Sequence, residues 1–469
     1  MPTTDREPVQ VPPPIPWQAG RSAALTGAEA RDPVVIRRDE RLGVVNGALY
    51  QGGEGFIDSN TVIPVFLSSL TTSNAAIGLA TAMGDLGWLL PQFLVAPSMA
   101  REKRQLWLYR RAAIARAIGL GALALLVPFL VDHHPQWLLA AFFLGYGAYC
   151  FGGGFGSVPF MEVVGKTIPP RRLGAFWSRR LFWGGSIAAG VALLVREILR
   201  WPAAGLRFGV LFGLATVAIS IGYALFLRID EPDGTPDPEP YTSLELLAHG
   251  WRLLRHDRPF RQILLGRTLL SVWFAASPFV VLFAVDTLKG GARATGTFLF
   301  ARVTGFVLST LLWKRVSNDH GNSTVLRISA IAAGLAALIA AGVAYASPWR
   351  FHLIPSTSAV FALEGVALVG GAAQAGILVA FGSLLIGLAP QGRRQMFVSV
   401  MLTFLGVTTL LPMLGGAFVD AFGAPLLFAV CGVTTLVGAS RLARLPESRG
   451  LDEGALAGCS DCMNSGGGQ

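Results

Sequence analysis

The chain has 469 residues, of which 52% are hydrophobic and only 14% charged, with a mean hydropathy of +0.54. That balance excludes an ordinary soluble domain, and it makes the net charge of +10 a matter of membrane topology rather than of nucleic-acid binding. The four cysteines build no disulfide framework: Cys150 and Cys431 fall inside apolar stretches, while Cys459 and Cys462 form one C-x-x-C, half of the ligand set zinc requires.

In chain order, residues 1–42 are polar and carry the run Val11-Pro12-Pro13-Pro14-Ile15-Pro16, with no apolar core of a cleavable signal. The first apolar stretch is therefore expected to act as its own insertion signal. Twelve such stretches follow, at about residues 44–69, 75–98, 107–131, 137–164, 178–196, 207–228, 262–287, 294–313, 326–347, 358–389, 396–419 and 424–440. Most reach the ~20 residues that a helix needs to cross a bilayer core. The polar segment 229–261 divides them six and six, giving an N-terminal bundle over 43–228 and a C-terminal bundle over 262–444. It opens with the turn-rich run Glu231-Pro232-Asp233-Gly234-Thr235-Pro236. Leu244, Leu247, Trp251 and Leu254 then recur at helical spacing with Arg252, Arg255 and Arg258, which predicts an amphipathic helix along the membrane surface. The tail 445–469 ends in Asn464-Ser465-Gly466-Gly467-Gly468 and reads as a flexible segment.

Lysine and arginine alternate across these stretches. With the outermost five residues of each stretch counted to its loop, the two termini and the even-numbered loops hold 29 of them and the odd-numbered loops 6, while three arginines lie deeper. Basic excess marks cytoplasmic loops, so both termini are expected on the cytoplasmic side. The expected architecture is an all-α membrane protein of twelve transmembrane helices in two six-helix bundles.

The halves carry a faint repeat. At an offset of 218, Gly78, Gly87 and Leu90 fall on Gly296, Gly305 and Leu308; at 222, Val164-Gly165 and Arg171-Arg172 fall on Ile386-Gly387 and Arg393-Arg394. In this topology over residues 43–444 the chain resembles the major facilitator superfamily. The loop Trp313-Lys314-Arg315-Val316-Ser317-Asn318-Asp319-His320-Gly321 looks like that family's cytoplasmic loop pattern G-x-x-x-D-R-x-G, with Gly321 at the last glycine, Asn318 at the aspartate and Asp319 at the arginine. The resemblance implies a gate-loop role for Asn318, Asp319 and Gly321. The matching loop after the second stretch, Ser98-Met99-Ala100-Arg101-Glu102-Lys103-Arg104, keeps the basic cluster and lacks the Asp-Arg and glycine framework.

A charge in the bilayer core costs roughly 2.5–3.5 kcal/mol on insertion scales, so each one asks for a reason. Asn46, Tyr50, Glu54 and Asp58 are spaced by four and predict one polar stripe, flanked by Gly52, Gly53 and Gly55. A rise of ~1.5 Å per residue from Gly43 puts Glu54 about 16 Å into the membrane. Two carboxylates one turn apart raise each other's proton affinity, so Glu54 and Asp58 are the expected proton-coupling site; arginine-neutralised packing is the competing reading. Asp85, Arg116 and Arg302 form the expected conformational switch, with an Asp85–Arg302 salt bridge across the halves set against a static pair. Arg267 is expected to snorkel at the end of its stretch. Tyr50, Trp88, Trp273, Glu364 and Gln374 are the expected cavity residues, with an interhelix contact as the alternative for Glu364 and Gln374 and lipid-facing packing for Trp88 and Trp273. Trp107, Trp137, Trp177, Trp201, Trp313 and Trp349 lie near stretch ends and read as interface anchors.

Enzyme signals are thin. None of the six histidines lies in an apolar stretch, the adjacent residues Asp132-His133-His134 seldom converge on one ion and have no further ligand cluster nearby, and no nucleophile elbow, Walker loop or dinucleotide fingerprint occurs. No metal, cofactor or nucleic acid is expected. The favoured reading is a secondary transporter, monomeric, in the cytoplasmic membrane, moving a small organic molecule by proton-coupled export. An importer and a non-transporting receptor or assembly factor are the alternatives. Four deep acids (Glu54, Asp58, Asp85, Glu364) against two bases (Arg116, Arg302) favour cationic or neutral cargo over phosphate esters.

Overall fold

A computed structural model describes residues 31–99, 102–234, 251, 255, 258–388, 401 and 404–442, without the side chains of 89, 90, 92–99, 170, 258–260 and 382–388. The described residues form helices joined by short turns, with no strand among them. The helices are α1 (Pro33–Phe56), α2 (Val62–Ser68), α3 (Asn74–Met99), α4 (Leu106–Leu130), α5 (Pro135–Thr167), α6 (Pro170–Ile198) and α7 (Ala204–Phe226) in the first half. The second half holds α8 (Arg258–Leu282), α9 (Arg293–His320), α10 (Asn322–Ala346), α11 (Ser356–Leu388), α12 (Leu411–Phe422) and α13 (Ala424–Leu442). Ten helices among the described residues are long and apolar enough to cross a membrane, and the chain is a multi-pass membrane protein. The first apolar stretch is divided between α1 and α2, and the second coincides with α3. Most of the expected surface helix, the Pro-rich segment and the C-x-x-C lie outside the described residues. Trp251 and Arg255 are helical there, with the Arg255 guanidinium 5.0 Å from the Trp251 ring centre.

Local chemistry sets the helix ends. Asp32 caps α1 by accepting from the Val34 N–H, and Pro33 fills the first helical position, where no donor is needed. α1 stops at Phe56 because Asp58 accepts from the Asn60 N–H at 3.1 Å and the Thr61 hydroxyl at 2.9 Å, closing a turn of Asp58, Ser59 and Asn60. α9 ends at Gly321, whose φ of 84° is open to glycine and strained for most other residues.

Packing repeats on a step of six spans. In the first half α1 packs on α6 and α7, α4 on α5 and α7, and α3 on α5; in the second α8 packs on α12 and α13, α10 on α11 and α13, and α9 on α11. The halves meet along α3 with α12 and α6 with α9, which are themselves equivalent pairs. The glycines matched in the sequence perform matched tasks. A Cβ on Gly78 would lie 2.1 Å from the Pro412 carbonyl oxygen, and one on Gly296 would lie 2.5 Å from the Arg196 Cα, so both sit where the halves touch. Gly87 and Gly305 do the same within each half, against the backbone of Cys150 and of Leu368.

Among the described residues, polar contacts between the halves lie to one side. At the end of the molecule away from Pro33, the Asp420 carboxylate at the close of α12 accepts from the Asn74 N–H (3.0 Å), its side-chain amide (2.8 Å) and the Ala75 N–H (3.1 Å), capping α3 across the halves. At the Pro33 end the ion pairs stay within the first half: Glu40 with Arg172 and Arg179, Asp39 with Arg31, and Glu231 with Lys166. Glu231 also accepts from the Gln105 and Leu106 N–H groups, fixing the start of the linker to the N-terminus of α4.

Gly78→Val is expected to lower stability by about 1–3 kcal/mol through overpacking. Gly365→Ala, where an added Cβ meets nothing within 4 Å, should leave the melting temperature unchanged. Thermal unfolding of both variants in detergent checks this; equal melting would remove the close-contact role of Gly78.

Candidate functional site

The polar stripe of α1 folds into a buried network in the first half. Arg116 of α4 forms an ion pair with Glu54 at 3.1 Å and donates to the hydroxyls of Tyr223 (3.2 Å) and Tyr50 (3.3 Å). Its guanidinium lies 4.0 Å from the Tyr149 ring centre, 5.1 Å from that of Tyr50 and 5.6 Å from that of Tyr223. Tyr149 in turn donates its hydroxyl proton to Glu54. The side chain of Arg116 is 2% exposed and that of Glu54 43%, so the cation is walled in while its anion reaches outward. Ring faces, hydroxyls and one carboxylate together offset the desolvation of the guanidinium. Below this cage Asn46 donates to the Gly222 carbonyl (2.9 Å) and accepts from Arg180 (2.8 Å), and Tyr109 stacks on Tyr223 with ring centres 4.6 Å apart.

The second polar centre lies between the halves. Arg302 of α9 forms an ion pair with Asp58 in the α1–α2 break and donates to the Gln374 side-chain oxygen on α11 at 3.3 Å. The pair is largely shielded and borders a narrow cleft lined by Asn60, Trp273, Val280, Arg302 and Gln374. Trp273, 4% exposed, packs its indole against Gly370. Glu364 accepts from the Thr297 hydroxyl within the second half.

Several expectations change here. Asp58 does not continue the helical stripe, because the turn it makes ends α1; Glu54 and Asp58 are each held by a different arginine. The ion pair that Arg302 makes across the halves is with Asp58 and not with Asp85. The break at Ile57 swings Asp58 toward α9, whereas Asp85 on α3 is exposed and has no ion pair among the described residues. Arg267 does not snorkel freely: it donates to Ser271 at 2.7 Å and lies over the Phe381 ring. Trp313 is no interface anchor, being buried with its indole N–H on the Ala372 carbonyl at 2.8 Å. Trp88 is exposed and does not line the cleft. In the loop after α9, Gly321 supplies the helix stop, Asp319 is exposed and Asn318 lies in the last turn of the helix.

Tyr149, Tyr223, Tyr109 and Arg180 were not singled out from the sequence. Apolar neighbours surround Tyr149 and Tyr223, while Tyr109 and Arg180 adjoin basic runs that read as loop charge, and only the four-residue spacing of Asn46 and Tyr50 hints at a polar partner surface.

No protein-family model matches the chain, and no curated protein matches it in sequence. Solved structures do share its fold. A bacterial homologue of the iron transporter ferroportin in the inward-facing state is 15% identical, with a TM-score of 0.64 over 88% of this chain and 99% of that one. The nucleoside transporter NupG is 14% identical, with a TM-score of 0.66 over 87% and 99%. A POT family transporter in complex with 5-aminolevulinic acid is 12% identical, with a TM-score of 0.64 over 85% and 94%. The likeness to these solved structures is one of fold along nearly the whole chain.

The geometry makes the Glu54–Arg116 pair asymmetric. Glu54→Ala leaves a buried guanidinium without its anion and is expected to cost about 3–5 kcal/mol. Arg116→Met leaves a carboxylate that solvent already reaches, so it should cost less than half as much. Melting temperatures of the two variants in the same detergent test the order, and a larger loss for Arg116→Met would refute it.

Proposed function

We propose that the protein is a secondary active transporter that moves a small organic molecule by alternating access, with twelve transmembrane helices in two six-helix bundles and both ends in the cytoplasm. The observation that carries this reading is the Arg302–Asp58 ion pair, which links the two halves beside the cleft and ties their relative position to a titratable carboxylate. A static scaffold has little use for a costly charged pair at the plane where two bundles meet. Transporters with related halves place substrate and coupling groups at that plane.

In this mechanism Asp58 and Glu54 are the proton carriers. A proton on Asp58 cancels its attraction for Arg302 and frees the halves to rock; loss of the proton on the other side restores the bond. Glu54 does the equivalent work toward Arg116 inside the first half, shifting the cage that faces the cavity. Asp420 and the glycine contacts hold the far end together, which favours reading this conformation as one open toward the cytoplasm. The substrate would meet Arg302, Asp58 and Gln374 with its polar part and Trp273 and Val280 with its apolar part. A cationic or neutral cargo that competes with the proton for Asp58 makes the cycle an antiport, in the cytoplasmic membrane and in the exporting direction. No chemical step on the substrate is required, and the protein acts as a transporter and not as an enzyme.

Two experiments test this. An impermeant thiol reagent should label Thr72→Cys only from outside and Glu102→Cys only from inside; the reverse would overturn the topology. A melting-shift screen with organic cations, nucleosides and short peptides selects a ligand. Flux of that ligand in proteoliposomes should then lose its dependence on a pH gradient in Asp58→Asn and in Glu54→Gln, with downhill exchange retained in Asp58→Asn. Gradient-driven flux at the wild-type rate in the double variant would end the assignment.

A further inference from the structure

The sequence Arg37-Arg38-Asp39-Glu40-Arg41 looks almost neutralised, and the fold undoes that balance. Asp39 and Glu40 turn inward, 0% and 2% exposed, where they are occupied by Arg31 and Arg38 and by Arg172 and Arg179. Arg37 and Arg41 point outward and have no ion pair or hydrogen bond among the described residues. One turn apart on the helix, they share a shallow groove with Arg38, closed by Leu42 and Val45 of the same helix and Leu225 of α7.

We propose that this groove binds an anionic phospholipid, its phosphate held by Arg37 and Arg41 and its acyl chain lying along Leu42, Val45 and Leu225. Guanidinium groups are suited to phosphate oxygens, and basic pockets between helices at the membrane surface hold anionic headgroups. The apolar wall decides for a lipid over free phosphate, because it continues from the arginines into the first apolar stretch. Along the helix axis Arg41 stands about 6 Å outside Val45 and Arg37 about 12 Å, the depth at which headgroups replace chains. The site does not depend on what the protein transports. It lies on the outer face of α1, away from the cleft, and would steady the helix whose far end carries Glu54.

The test uses the purified full-length protein, native mass spectrometry, and equimolar phosphatidylglycerol and phosphatidylcholine. The wild-type protein should retain phosphatidylglycerol in preference to phosphatidylcholine. Arg37→Gln/Arg41→Gln should lower that retention about thirtyfold, the loss of two surface cations near an anionic lipid. Arg37→Lys/Arg41→Lys should retain most of it, and Arg327→Gln, which removes an exposed arginine of the other half, should change nothing. All four proteins are first shown to be monodisperse. Equal phosphatidylglycerol retention in the wild type and the double glutamine variant would overturn the proposal. So would an equal loss in Arg327→Gln, which would mean attraction to net charge alone, or displacement of the lipid by millimolar inorganic phosphate, which would mean a phosphate site.

Discussion

The structure depends on a single constraint: a charge placed inside a low-dielectric helical bundle must be neutralised where it stands. Arg116 meets it in the most demanding way. Its guanidinium is enclosed by Tyr50, Tyr149 and Tyr223 and touched by one carboxylate, Glu54, so helices α1, α4, α5 and α7 converge on it. Shifting any of these helices alone would leave a buried cation or a hydroxyl unpaired, at a cost well above that of a lost apolar contact. The first half therefore behaves as one rigid piece around this point. The Glu40, Asp39 and Glu231 clusters tie its other end in the same way.

The second half lacks an equivalent cage among the described residues, and one of its deep charges, Arg302, reaches outward to the first half. This asymmetry is what gives the fold its functional reading. Within the first half Arg116, Asp39, Glu40 and Glu231 are paired locally; between the halves, among the described residues, one ion pair and one helix cap, Asp58 with Arg302 and Asp420 on α3, bear on relative position. Contacts of this kind can be made and broken without unpacking a core, and the backbone approaches at Gly78 and Gly296 need only slide or part. Two pieces that are stiff inside and joined by few polar contacts are what a rocking mechanism needs.

By itself the sequence determined the membrane class, the helical architecture and the pairing of the halves in pattern. These follow from composition, from stretches of the length a bilayer demands, and from glycines recurring at an offset of 218. It also marked Glu54, Asp58, Arg116 and Arg302 as candidates, since they are conspicuous where charge is expensive. What it could not assign was partnership. The four-residue spacing put Glu54 and Asp58 on one stripe, but Asp58, Ser59 and Asn60 favour a turn, and that local bond to Asn60 and Thr61 outweighs helical continuation. Only the tertiary structure decided that the two acids go to different arginines, that Arg302 takes Asp58 and not Asp85, and that tyrosines from α5 and α7 enclose Arg116. The same holds at the membrane surface, where adjacent residues of one run, Asp39-Glu40 and Arg37 with Arg41, are sent to opposite faces of α1. Charge pairing is a long-range property of which helices touch; hydropathy and spacing report the solvent of each segment, and they are silent on its neighbours.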